Sequence, residues 1–491
     1  MKRVKRVLAL LAAFALVLAM AVPAWAEEAT CSITAPNNGH TYEVYQIFTG
    51  TLSENNGTKV LSDIKWGKNG TNGDTAVTEG DSVPETVLND ITRVATKPDS
   101  EKLAVIEKYV NLKGEKFTTV NSGTTENVPA GYYLIKDADN SYNDKHDAYT
   151  QFIVEVAGKV IFQPKTDYPT VEKKVKENSK ETGTTGDYGE RYNDVADYSI
   201  GDAVPFKLIG SVPDMSQYST SYKYTFHDTL ANSLKAPDKA DVKVYMSSNK
   251  AGSGKQDITS NFTVTVSGQE ITVHTEDLKA IDGISAGKYI LVEYSAVLNS
   301  NAAINNDNVA DTDKGNINKV YLTYSNNPRN ESEAGKTPED TVIVFTYKIE
   351  ATKVDGETSK ELQGVTFRIY KMSGDDKLYA QVAEGKLKDW ITTADDNCVL
   401  TSGKDGKFSL AGLDDGTYFI EEINPLPGYN SIDPVEIQVN GKTNNGQDGN
   451  GATSELTSVT FTVGGKTENA ITIVNNAGTT LPSTGGMGTT V

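Results

Sequence analysis

Apolar and polar residues alternate in short runs over most of the chain. Between residues 169 and 345 the alternating runs include 222–228, 262–266, 289–297 and 319–324. Between 346 and 480 similar runs are separated by turn signals such as Lys404-Asp405-Gly406 and Asp414-Asp415-Gly416. Period two puts alternate side chains on one face of a strand. Strands joined by turns, with almost no helical periodicity, predict Ig-like β-sandwiches in tandem for these two blocks. Residues 27–168 differ. Val87, Leu88, Ile91, Val94 and Ala95 follow Ser82-Val83-Pro84-Glu85 at helical spacing, and residues 101–110 carry Leu103, Ile106 and Val110 on one face. A few short helices are therefore expected among the strands of the first block. Its end reads as a hairpin, with Phe152-Ile153-Val154-Glu155-Val156 and Val160-Ile161-Phe162 flanking Ala157-Gly158-Lys159.

The N-terminus is patterned otherwise. Lys2, Arg3, Lys5 and Arg6 precede an apolar run over 7–22, and Ala24-Trp25-Ala26 supplies a small-x-small site. Residues 1–26 are read as a secretory signal peptide, so the mature chain is expected outside the cytoplasm.

Composition narrows the function. The 491 residues include 47 Lys and Arg against 66 Asp and Glu, for a net charge of −19. No basic stripe exists to neutralise phosphates, which argues against nucleic-acid partners. Hydrophobic residues are 37%, in keeping with β modules that have wet faces. Two cysteines, Cys31 and Cys398, cannot staple an exported chain of this length. His40, His146, His227 and His274 lack metal-ligand spacing, and Gly252-Ser253-Gly254-Lys255 lacks the full spacing of a phosphate loop. No cofactor and no metal is expected.

One arrangement recurs. In the last block Ile349, Ala351 and Lys353 share a face, as do Tyr418, Ile420 and Glu422, and Ile471, Ile473 and Asn475. In the middle block Val171, Lys173 and Val175 share a face, as do Tyr224, Phe226 and Asp228, and Asn318, Val320, Leu322 and Tyr324. Each strand aims one polar group where its neighbours are apolar. A lone buried Lys or acid is costly, but a Lys, an acid and an Asn together can satisfy one another. Lys174 and Asn316 are the rivals in the middle block, and Asn476 in the last. The first block offers Gly131-Tyr132-Tyr133-Leu134-Ile135-Lys136, where a lysine falls at the acid's place and Asp137 is one residue off. No crosslink is expected there.

These motifs resemble a known family. Tyr418-Phe419-Ile420-Glu421-Glu422 with Asn424-Pro425-Leu426-Pro427-Gly428-Tyr429 resembles the E-box of Cna B-type domains, with Glu422 at the box glutamate. Ile423 and Pro425-Leu426 depart from it. Leu481-Pro482-Ser483-Thr484-Gly485 matches the LPXTG sorting signal of Gram-positive surface proteins. That family continues into an apolar membrane segment and a basic tail, so the sequence, which stops at Val491, is read as cut short of the anchor. Val160-Ile161-Phe162-Gln163-Pro164-Lys165 resembles the pilin motif, with Gln163 in place of its tyrosine.

The chain is thus similar to the major (backbone) pilins of sortase-assembled pili. The resemblance implies a signal peptide (1–26), an N-terminal pilin domain (27–168), a middle isopeptide sandwich (169–345), a C-terminal Cna B-type isopeptide domain (346–480) and a sorting signal (481–491). It implies that sortase cuts after Thr484 and joins it to Lys165 of the next identical subunit, with Lys159 and Lys173 as flanking alternatives. Lys173–Asn318 and Lys353–Asn475 would be isopeptide bonds, with Asp228 and Glu422 moving the protons. Burial would favour a neutral amine and a protonated carboxyl, and the amine would displace ammonia from the carboxamide. Such self-modification happens once and does not make the chain an enzyme. Further partners implied are minor or tip pilins, peptidoglycan through a housekeeping sortase, and a host or bacterial surface receptor. A monomeric wall-anchored adhesin of the same build is the alternative.

Overall fold

The computed structural model describes residues 31–478 except 56–57, 74, 76, 95, 98, 140, 142–147, 163–166, 180–184, 305–314, 329, 331–333 and 445–454. The predicted signal peptide, Lys165 and the sorting signal lie outside the described residues. The protein is mostly β, with two short α-helices among the described residues. No described helix is long and apolar enough to cross a membrane. The chain divides into two compact units.

The first unit comprises Met1–Tyr168 with Pro213–Lys223 and Tyr324–Lys336. Its main sheet runs in the order Thr58–Trp66, Thr41–Asn55, Gly131–Asp137, Gln151–Val156, and Thr118–Asn121 also pairs with Thr41–Asn55. Both faces of this sheet are buried. Helix Glu85–Arg93 starts after Pro84 and packs Val87 and Ile91 beside Phe48, Trp66 and Leu134. The second helix spans Asp99–Ile106, and its last turn tightens into a 3-10 turn over Glu107–Tyr109. On the other face Tyr42, Val44, Tyr133 and Ile135 meet Ile33 of a three-stranded sheet and Phe162, just past that sheet's last strand. The expected hairpin at 152–162 is not formed. Gln151–Val156 pairs with Gly131–Asp137, while Lys159–Ile161 pairs in parallel with Ser32–Thr34 in the small sheet. The turn at 157–158 arches over the core so that Val154, Val156, Val160 and Phe162 all feed one cluster. The two later segments join this unit through their backbones: Tyr149 N donates to Asn326 O (2.6 Å) and Asp214 N to the Asp167 carboxylate (2.5 Å).

The second unit holds Pro169–Val212, Tyr224–Thr323 and Thr337–Val491. Its first part is a two-sheet sandwich. One sheet orders Val171–Lys176, Ala203–Ser211, Tyr289–Leu298 and Lys243–Ser247; the other orders Asp340–Phe345, Asn316–Ser325, Tyr224–Leu230 and Glu270–Thr275. Strands change sheets at Thr346. Tyr347–Asp355 opens an eleven-stranded sheet in which it lies between Lys407–Leu413 and Ile471–Asn475. Gly416–Asn424 lies far from it in strand order, yet Glu422 reaches Lys353 at 3.4 Å. The sheet therefore folds over into two facing layers, with Ile349, Leu410, Tyr418, Ile420 and Ile473 buried.

Candidate functional site: two buried lysine–acid–asparagine clusters

The first cluster lies between the two sheets of the sandwich. Val171–Lys176 and Ala203–Ser211 pair with Lys173 opposite Leu208, and Phe206 in turn sits opposite Tyr294 on the next strand. The facing sheet contributes Asp228 and Asn318. Lys173, Asp228 and Asn318 are all fully buried. The Lys173 ammonium donates to Asp228 Oδ1 at 2.6 Å and to the Tyr294 hydroxyl at 3.2 Å. Tyr294 donates to Asp228 Oδ2 at 2.5 Å and accepts from Asn318 Nδ2 at 2.7 Å. Asn318 Oδ1 is buried and has no hydrogen-bond partner among the described residues. The Lys173 backbone N–H is held by Asp340 Oδ2 at 2.6 Å. The Phe206 ring lies 5.3 Å from the amine and stacks on Tyr294. Burial lowers the Lys173 pKa against the pull of Asp228, and burial raises that of Asp228 against the pull of Lys173. Both shifts favour the uncharged pair over the ion pair.

The second cluster joins the first and last strands of the folded-over sheet. Tyr347–Asp355 and Ile471–Asn475 run parallel, with Lys353 opposite Ile473 and Asp355 opposite Asn475. Lys353 and Asn475 are fully buried. The Lys353 amine contacts Asn475 Oδ1 at 2.5 Å, Ile473 O at 3.4 Å and Glu422 Oε2 at 3.4 Å. Asn475 Nδ2 donates to Glu422 Oε1 at 2.9 Å. Here the acid touches amine and carboxamide directly. Burial lowers the Lys353 pKa.

Supporting residues hold Lys353 in place. Its backbone N–H donates to Gly406 O at 2.8 Å. Gly406 has a φ of +69°, and a Cβ there would lie 2.6 Å from Lys353 O. Tyr429, the last residue of the box-like segment, donates to Asp355 Oδ2 at 2.8 Å and bridges to Ala477. Hydrogen bonds from the Thr358 backbone, the Thr358 hydroxyl and Tyr429 hold the Asp355 carboxyl down at about 2. Sequence reasoning brings out the six cluster members and, within the box-like segment, Tyr429, but not Tyr294, Asp340 or Asp355. Gly406 was visible only as a turn, and Tyr294 only as one more apolar-face aromatic.

The rivals are placed elsewhere. Lys174 pairs with Asp194, Asn316 bonds Val344 O (2.9 Å) and Ala303, and Asn476 is exposed. In the first unit Asp137 is fully buried but holds His40 Nδ1 (2.8 Å) and both Thr150 donors, while Lys136 pairs with Glu43 (2.7 Å). Cys31 and Cys398 are both free and buried. Among the described residues one carboxylate group, Asp197, Asp414 and Asp415, has the spacing to hold a metal ion.

Each of these two polar clusters is sealed inside a β-sandwich. Residues 347–451 match the SpaA family, a prealbumin-like fold domain. The chain is homologous to the Trypsin-resistant surface T6 protein of Streptococcus pyogenes serotype M6, with 24% identity over 330 residues. The match covers 61% of this chain and 52% of that protein, so the chain spans about half the length of the curated relative. The solved T6 backbone pilin of serotype M6 Streptococcus pyogenes has, in its description, a modular three-domain structure decorated with variable loops and extensions. It superposes with a TM-score of 0.50 at 16% identity, covering 92% of this chain and 100% of that one. This likeness is one of fold.

Proposed function

We propose that this chain is the structural backbone subunit of a covalent surface pilus. The observation that carries the reading is the pair of buried clusters, each holding a lysine amine, a carboxyl and an asparagine carboxamide within one hydrogen-bonded group. Homology to the T6 surface protein supports it. Folding holds the reactants together, which replaces a bimolecular encounter. In the C-terminal cluster Lys353 passes a proton to Glu422, its neutral amine adds to Asn475 Cγ, and ammonia leaves with a proton returned through Glu422. In the middle cluster Asp228 serves Lys173 and Asn318. The domain division at 168/169 and 345/346 belongs to the same reading, as one module per link after an unlinked first module. The chain acts as a building block, and its only chemistry on itself is these single events.

Polymerisation rests on residues outside the described ones. Sortase is proposed to carry Thr484 as an acyl group to Lys165 of the next identical subunit, building a wall-anchored fibre at the cell surface. Intact mass of the secreted ectodomain tests the crosslinks: a deficit of two ammonias is expected, and the unmodified mass would refute them. Wall extracts test the polymer. A high-mass ladder that collapses in Lys165→Ala is expected, and a ladder unaffected by that change would remove Lys165 as acceptor.

A further inference from the structure

The two clusters are not built alike. In the C-terminal cluster the acid itself reaches the carboxamide, since Glu422 Oε1 accepts from Asn475 Nδ2 at 2.9 Å. In the middle cluster the acid is an aspartate, one methylene shorter. Neither Asp228 oxygen is hydrogen-bonded to Asn318: Oδ1 takes Lys173 and Oδ2 takes Tyr294. The hydroxyl of Tyr294 fills the gap, 2.5 Å from Asp228 Oδ2, 2.7 Å from Asn318 Nδ2 and 3.2 Å from Lys173 Nζ. Among the described residues it is the one group bonded to all three. Its ring is fixed by stacking on Phe206, with centroids 5.5 Å apart.

We propose that Tyr294 is a catalytic residue of the middle cluster, relaying the proton from Asp228 to the departing nitrogen of Asn318. This rests on the crosslinking reading above. The steps balance. Lys173 gives one ammonium proton to Asp228, and the free amine adds to Asn318 Cγ, with the carbonyl electron pair moving to Oδ1. Tyr294 donates its hydroxyl proton to Nδ2 and takes the proton held by Asp228. The Cγ–Nδ2 bond breaks, its pair leaves with ammonia, and the carbonyl reforms. Asp228 accepts the second proton from Nζ. The end state is an amide, a neutral Asp228, an intact tyrosine hydroxyl and free ammonia, with no other reactant needed. Burial and the neighbouring Asp228 hold the Tyr294 pKa well above its usual value, so the hydroxyl stays protonated and serves as a relay.

Tyr294→Phe tests this in the full secreted chain, because the C-terminal link serves as an internal control. With the chain synthesised in unfolded, unlinked form and then diluted into folding buffer, time-resolved intact mass and peptide mapping should show the Lys353–Asn475 link forming normally. The Lys173–Asn318 link should slow by about 100-fold or more, the usual scale of a lost proton-transfer group. Equal rates for both proteins would overturn the role of Tyr294. A wild-type chain in which Asn318 never loses ammonia to Lys173 would instead remove the crosslinking reading itself. Should the Phe variant not fold by circular dichroism, 3,5-difluorotyrosine at position 294 keeps the shape and makes the hydroxyl more acidic. A rate–pH profile for the middle link displaced to lower pH supports the relay, and an unmoved profile overturns it.

Discussion

Lys353→Met isolates the contribution of the proposed C-terminal link. Methionine keeps an unbranched stem of similar length in a fully buried site and removes only the nucleophile and its charge. Glu422 and Asn475 retain their 2.9 Å hydrogen bond, while Asn475 Oδ1 and Glu422 Oε2 lose the amine. What is lost is the covalent closure. Lys353 and Asn475 are 122 positions apart. By the loop-entropy relation for crosslinks, closing such a loop restricts the unfolded chain by roughly 5 kcal/mol. At about 4 °C per kcal/mol for a module of this size, the transition of the C-terminal sandwich should fall by roughly 20 °C. Calorimetry of the ectodomain reads the melting, and peptide mapping of the same samples reads the bond. Two results would refute the reasoning. One is a crosslinked wild type whose C-terminal transition lies within a few degrees of the variant. The other is a wild-type map in which Lys353 and Asn475 peptides appear unjoined.

Two smaller changes probe how the cluster is held. Gly406→Ala places a side chain at a φ of +69°, against Lys353 O. Time-resolved mass should show slower closure at Lys353–Asn475 with the middle link unchanged, and an unchanged rate would show that Gly406 does not position the lysine. Asp355→Asn tests charge. The folded carboxyl sits at about 2, below its usual value, so its contribution is complete above the ordinary carboxylate range and is lost as pH falls toward 2. The melting penalty of the variant should be full at neutral pH and shrink on acidification. A penalty equal at both ends would assign it to packing.

The alternation of strands made the six cluster members legible because burial on one face is a local property. Ile349, Ala351 and Lys353 repeat every second residue, and all three are fully buried. Partnership across sheets is not local. Tyr294 lies in the run of Ile290, Val292 and Ala296, which reads only as a buried face. Its hydroxyl acquires meaning when the Asn316–Ser325 and Tyr224–Leu230 strands face it from the other sheet. The same limit explains the failed hairpin. The pattern around Ala157-Gly158-Lys159 gave two strands and a turn correctly, but pairing was decided by Ser32–Thr34 and Gly131–Asp137, which are distant in sequence. It also hid the His40–Asp137 pair, whose members are 97 positions apart. The first unit fills this buried acid's surroundings with an imidazole and Thr150 rather than a lysine and an asparagine.

The placement of the proposed bonds bears on what a fibre must do, which is to carry tension along its chain. In the C-terminal sandwich load enters at Tyr347 on the first strand and leaves after Asn475 on the last, and these strands are parallel neighbours. Pulling them apart would shear five paired positions, Ala351–Asp355 against Ile471–Asn475. With an amide between Lys353 and Asn475, tension runs from Tyr347 to Lys353, crosses the side chains and exits at Asn476. Residues 354–474 then carry none of it, so hydrogen bonds of about 1 kcal/mol each no longer have to resist the pull. The middle sandwich is arranged differently. Asn318 lies near the start of its strand, and Asp340–Phe345 follows it, paired antiparallel with that same strand. An amide from Lys173 to Asn318 therefore shields 174–317 and leaves 319–345 under load. Five register pairs, Asn316–Val320 against Asp340–Val344, are exposed to that load. The stretch 319–345, which takes in the end of the Asn316–Ser325 strand, the Tyr324–Lys336 segment of the first unit and the Asp340–Phe345 strand, should accordingly be released first under force, while the C-terminal sandwich holds. Single-molecule pulling between position 165 and the C-terminus of a chain carrying both bonds would show one short extension of about 27 residues, at ~3.5 Å each, before rupture, and a full-length release of either sandwich would contradict the proposed bonds.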